Sequence, residues 1–231
     1  MNSPRPILRS HNSQRSEGFS LIELLLAMSI VLVIMGLTTT LLVSAFNTRS
    51  RENSRSDALA DAQRALNIMT REIANTGFGL TNNGIIAADS GLTTIRVRAN
   101  LNAFDSQSTS LLVNDRNEDV KYSLYTADGA SYIVRLDIGT ENQTTVLANR
   151  VDTLKFRYYS SKINYTMAAT ECDISTASAE VTNKSETKYI VMSICVELPQ
   201  VGSPGSSGYK PLSRVQLVSD VSLRNSDLGN Y

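Results

Sequence analysis

The sequence predicts an α+β fold in which one long N-terminal α-helix packs, by its second half, on an antiparallel β-sheet head. Three observations carry that expectation. Leu24 to Phe46 is 23 residues without a charge. Beyond it Leu59, Ala62, Leu66, Met69 and Ile73 recur at spacings of 3, 4, 3 and 4, the apolar seam of an amphipathic helix. From about Ile85 the apolar period switches to two, the spacing of strands.

Residues 1–18, MNSPRPILRSHNSQRSEG, form a polar leader with Arg5, Arg9 and Arg15 against a single Glu17. Such a basic flank is expected to stay cytoplasmic while the C-terminal bulk is exported. Residues 19–46 follow as an apolar run whose one charge is Glu23. As a helix its uncharged part spans roughly 35 Å, enough for a bilayer core and longer than the apolar stretch of an ordinary secretory signal. A lone carboxylate one turn into such a segment costs roughly 2.5–3.5 kcal/mol, so Glu23 calls for a partner. Snorkelling toward the interface would be the alternative.

Residues 47–76 are charged and amphipathic, and contain no proline. One helix from about Phe19 to Thr76 would be roughly 87 Å long, with Gly77 as its C′ residue. The seam covers fewer than three heptads, which favours packing within the chain over a coiled coil. Residues 77–231 are expected as one β-rich head. Its strands fall at Thr93–Arg98, Ser110–Val113, Val120–Tyr125, Tyr132–Asp137, Thr144–Leu147, Val151–Tyr159, Lys188–Leu198 and Leu212–Arg224. Asp128-Gly129 marks a hairpin. In Lys188–Leu198, Ile190, Met192, Ile194, Val196 and Leu198 share one face, and Tyr189, Val191, Ser193, Cys195 and Glu197 the other. Residues 171–187 and 200–208 read as polar loops.

Composition narrows function. Basic and acidic residues balance at 22 each, so no nucleic-acid partner is expected. The single histidine is His11, in the leader. Without it the chain has neither a Ser-His-Asp or Cys-His centre nor a His-containing zinc site. No acid, nucleophile or metal cluster is concentrated anywhere, which disfavours a signal-anchored periplasmic enzyme. No cofactor is expected. Cys172 and Cys195 are the two cysteines, and an even pair in an exported head points to a disulfide. Asp115 to Asp119 has the alternating oxygen ligands of a calcium loop, but Val120 and Thr126 stand where a glycine and a glutamate belong, so a solvated turn is expected. Lys155, Arg157, Tyr158 and Tyr159 read as one face of a strand with its aromatics packed. Asn142, Asn164 and Asn183 match glycosylation acceptors by pattern alone.

The string Gly18-Phe19-Ser20-Leu21-Ile22-Glu23-Leu24-Leu25 resembles the processing site of type IV prepilins. Basic leader, Gly-Phe junction, acid five residues on and long apolar helix coincide. The resemblance implies a prepilin peptidase that cuts between Gly18 and Phe19 and methylates the new amino group of Phe19. The new amino group of its own chain would be one possible partner for Glu23; the resemblance implies that Glu23 acts in assembly by pairing with the α-amino group of a neighbouring subunit. Many major pilins carry a proline where this chain has Thr40, and Gly36 with Thr38, Thr39 and Thr40 keeps helix propensity low there. ALNIMTREIANTGFG, VDTLKFRYY and VSLRN resemble PilW-type minor pilins. J-class pseudopilins of type II secretion share the first two more loosely. The implied function is a non-enzymatic minor pilin in the tip or initiating complex of a type IV pilus, with a secretion pseudopilin as the alternative. Its partners would be the peptidase and other minor and major pilins. It would reside in the inner membrane with a periplasmic head before assembly, and in the surface pilus afterwards.

Overall fold

Helix α1 runs unbroken from Leu21 to Ala74, 54 residues, in the computed structural model. That structure describes residues 18–103, 115–139, 143–206 and 208–226. The basic leader through Glu17 and the expected strand Ser110–Val113 lie outside the described residues. Every residue from Gly18 to Val43 is exposed, so the apolar start of α1 is covered by nothing among the described residues. The helix is long and apolar enough to cross a membrane.

The second half of α1 is the spine of the core. Ala58, Ala62, Ala65, Leu66, Met69, Ile73 and Ala74 are buried, and Leu59 packs beside them. The alanines let the helix axis approach the sheets closely, and the larger residues fill the space between. The seam is therefore used within the chain. It also continues past Leu59 toward the N-terminus as a polar stripe, with Ser44, Asn47, Thr48, Arg51 and Ser54 half-buried. Gly77 falls one position later than expected, since Asn75 is the C-cap, and its φ of +82° turns the chain toward the head.

The head holds two larger sheets and one small one. The first orders β1 (Thr94–Arg98), β2 (Asp119–Ala127), β3 (Ala130–Asp137) and β4 (Gln143–Asn149) as neighbours. The second orders β5 (Val151–Tyr159), β8 (Tyr189–Leu198) and β9 (Ser213–Ser222), and β6 (Thr166–Ala168) with β7 (Asp173–Ser175) make the small one. All the pairings are antiparallel. Asp128 and Gly129, at φ +51° and +74°, close the β2–β3 hairpin in the conformation two-residue turns require. The strands β6 and β7 replace part of what the sequence suggested was irregular.

Strand β8 is central and buried on both faces. Ile190, Met192, Ile194, Val196 and Leu198 enter the main core with α1, whereas Tyr189 and Val191 form a second cluster with Tyr159 and Ile163. On β5 the aromatics do not share a face. Tyr158 points into the main core with Leu154 and Phe156, while Tyr159 lies in the second cluster.

Candidate functional site

The start of α1 is built for access. A Cβ added at Gly18 would meet no heavy atom within 4 Å, and Phe19 is 87% exposed. Ser20 is the N-cap in extended conformation, and its carbonyl accepts from the backbone of Glu23 and Leu24 at 3.0 and 3.1 Å. The Glu23 carboxylate folds back so that the Ser20 N–H donates to its Oε2 at 3.2 Å. This satisfies one of the donors a helix start leaves over and sets a negative charge at the positive end of the helix dipole. Among the described residues Glu23 makes no ion pair. Its carboxylate is oriented, yet open to a cation from outside the subunit.

The low-propensity stretch stays helical in the single chain. Thr38 donates to the Ile34 and Met35 carbonyls at 3.0 Å, Thr39 to Met35 at 2.7 Å, and Thr40 to Leu37 at 2.8 Å. Ser29 does the same to Leu26 at 2.8 Å. Each hydroxyl thus brings its own acceptor into an apolar surface, where an unpaired one would be costly.

The far end of α1 is clamped. Glu72 accepts from the Tyr122 hydroxyl and from Arg135 Nε at 3.0 Å, and Arg135 Nη2 also holds Asn117 Oδ1 at 2.8 Å. Burial, and then the Glu72 carboxylate, push the Tyr122 hydroxyl up in pKa, so it stays protonated as the donor. Asn225 Nδ2 donates to the Asn75 and Thr76 carbonyls at 3.2 and 3.3 Å, and the Arg224 N–H to that of Ala74 at 3.1 Å. These are carbonyls that a helix end leaves without partners. The same row continues across the sheet, with Leu223 N–H donating to Lys188 and Lys188 N–H to Tyr159, both at 2.9 Å. Three short strings far apart in sequence, ALNIMTREIANTGFG, VDTLKFRYY and VSLRN, therefore meet at one end of the head. Glu72, Tyr122, Arg135 and Asn225 were not singled out by sequence reasoning. The strings marked the region but not the bonds.

Cys172 and Cys195 are bridged in the structure with Cα atoms 5.7 Å apart. The bridge ties the segment around β7 to β8. Beside it Asp173 accepts from Lys155 at 3.0 Å and from Arg157, whose Nη1 also reaches Glu180 at 2.5 Å. Burial raises the Asp173 carboxyl, but the Arg157 guanidinium, the Ile174 N–H and Lys155 outweigh it and hold the pKa below its ordinary value. Lys155 and Arg157 are thereby neutralised inside the head. At the suspected calcium loop the oxygens have other partners. Asp119 is paired with Arg96 and Arg98 at 2.7 Å, and Glu118 accepts the N–H groups of Leu101 and Asp115 at 2.8 and 3.1 Å. No cluster of three or more metal-ligating side chains occurs among the described residues.

A family model described as the prokaryotic N-terminal methylation motif matches residues 13–39. This type IV prepilin-like stretch contains Gly18, Phe19 and Glu23. No curated protein and no solved structure matches the chain. The molecule thus joins a prepilin-like N-terminal motif to an α+β fold of type IV pilin-like build, a long apolar helix on antiparallel sheets.

Proposed function

We propose that the chain is a minor pilin, a structural subunit of a type IV pilus that serves in its tip or initiating complex. The observation that carries this reading is the N-terminal motif at residues 13–39, continued in a helix whose residues 18–43 are exposed among the described residues. Prepilin peptidase cuts between Gly18 and Phe19 and methylates Phe19. Residues 19–46 anchor the subunit in the inner membrane and 77–231 form the periplasmic head. After extraction the exposed apolar face of α1 is buried among other pilins, and Glu23 pairs with a neighbour's amino group. No catalytic step belongs to the chain. The Cys172–Cys195 bridge forms in the oxidising compartment outside the membrane. The same motif also heads secretion pseudopilins; the VSLRN string favours the pilus.

The test is intact mass of the subunit in sheared pili. The expected chain begins at Phe19, carries one methyl group and is two hydrogens lighter before reduction than after. Gly18→Val sets a branched side chain at the scissile junction and should leave uncleaved precursor in the membrane. Normal mature chain from that variant would overturn the cleavage site, and absence of the subunit from pili would overturn the role.

A further inference from the structure

The head reaches down to the apolar half of α1. Gly208 lies so close to the helix that a Cβ there would come within 3.0 Å of Ser44 Cα. Ser44 stands two residues before the apolar run ends at Phe46. The lower rim of the head is therefore level with the end of the membrane-spanning segment. It comprises helix residues 41–51 and the segments 199–206 and 208–213, which carry Arg49, Arg51 and Lys210 and neither Asp nor Glu. Glu52, the nearest acid along the helix, pairs with Arg55 at 3.8 Å.

Arg51 shows what the rim lacks. Its Nη2 donates to Ser213 Oγ at 2.8 Å, while Nη1 is buried with no acceptor among the described residues. An unmatched donor on a half-buried cation is costly, and a guanidinium offers paired N–H groups that suit phosphate oxygens. Arg51 lies five residues beyond Phe46, roughly 7.5 Å along the helix, which is the depth of the headgroup layer above a bilayer core. Phe46 is 61% exposed and Tyr209 half-buried at this rim, aromatics of the kind enriched at the membrane interface.

We infer that this rim docks on the headgroup phosphates of anionic phospholipids in the leaflet facing the head, through the exposed Arg49 and Lys210 with the half-buried Arg51 adding its charge behind them. The inference rests on the membrane-anchored reading given above. Docking seats the head flush on the bilayer and fixes how deep α1 sits before extraction. Lifting a subunit out would then break these contacts as well as expose apolar surface.

The experiment places the full chain in nanodiscs of phosphatidylcholine alone, or of phosphatidylethanolamine with phosphatidylglycerol, and follows hydrogen exchange at residues 199–213. Each basic side chain brought to an anionic surface shifts docking roughly fivefold, so exchange there should slow at least roughly fivefold in the anionic discs. Arg51→Gln with Lys210→Gln should abolish that difference while exchange in β5 and β8 stays unchanged, which controls for folding. Equal exchange in both lipids, or slowing that survives the double substitution, would overturn the proposal. So would slowing reproduced by inorganic phosphate in phosphatidylcholine discs, or slowing that rises with the protein-to-lipid ratio, which would assign the rim to a second subunit. Recovery of the chain in both kinds of disc tests the anchor separately, and failure in both would overturn anchor and docking together.

Discussion

Helix α1 carries a glutamate near each end, and the two are treated in opposite ways. Glu72 sits where the helix meets the head, accepting from Tyr122 and Arg135, whose side chain is only 11% exposed. Glu23 sits in the first turn, where among the described residues its carboxylate accepts only from the Ser20 N–H. The first carboxylate has its charge answered within the fold. The second is held in position and answered by nothing cationic among the described residues. A charge satisfied internally serves stability, and under the proposed pilin reading the one left oriented but open is available for association.

The sharpest way to break this contrast is Glu72→Leu. It strands a buried guanidinium and a buried hydroxyl together, and the head should lose about 2–3 kcal/mol in denaturant unfolding. An unchanged midpoint would mean the clamp is not where the head's stability lies. Glu23→Leu should leave that midpoint alone, since no part of the head touches it, and should spare cleavage and membrane insertion. The ratio of subunit in sheared filaments to subunit in membranes should instead fall roughly tenfold, a shift of about 1.4 kcal/mol. Glu23→Asp should be milder, keeping the charge with a shorter reach. Wild-type entry of the Leu variant into filaments would remove Glu23 from assembly.

Smaller effects test the clamp's edges. Asn225→Ala removes a donor from the Asn75 and Thr76 carbonyls just past α1, the first of which keeps the Phe78 N–H at 3.2 Å, and should cost about 1 kcal/mol, read by the same unfolding midpoint. Next to the clamp, Arg98 accepts the Gly77 N–H and pairs with Asp119. Burial raises the Asp119 carboxyl, yet the Arg96 and Arg98 guanidiniums together hold it below the ordinary 3.8. A carboxylate with a depressed folded pKa contributes stability above its unfolded value, lost as pH falls through the folded one. The contribution of Asp119 and Asp173 should therefore be flat from pH 8 to 5 and decline only below about 3.8. Asp119→Asn should remove part of that acid slope, and a slope unchanged in the variant would exclude Asp119 as its source.

How much of this the sequence displayed depends on the range of the interaction. The helix, its seam and β5 with its boundaries at Val151 and Tyr159 were legible because each is a local periodicity. So was the exposed first turn, whose parts lie within six residues. Strands β6 and β7 were not, since three residues of mixed polarity are too short for a period of two to register. The polar continuation of the seam through Ser44, Thr48 and Arg51 was hidden by its lack of apolar side chains. Glu72 looked like an ordinary solvent-facing residue because its partners are 50 and 63 positions away. The partner of Lys155 and Arg157 was hidden for the same reason, with Asp173 18 and 16 positions on.

The threonine-rich turn in the bare half of α1 has a mechanical consequence. A subunit held at Phe19 and loaded through its head carries the tension along the helix, and the head is fastened mainly beyond Ala58. Residues Gly36 to Thr40 lie in the unfastened length, where stretching breaks no head contact. Drawn from helical to extended spacing, those five residues lengthen the tether by roughly 9 Å. Their hydroxyls already engage the carbonyls that such a change would release, so the stretch has a local restoring force. Under the proposed assembly, a low-propensity stretch of helix would thus stand in series with the length packed on the head, on the side nearest the attachment at Phe19.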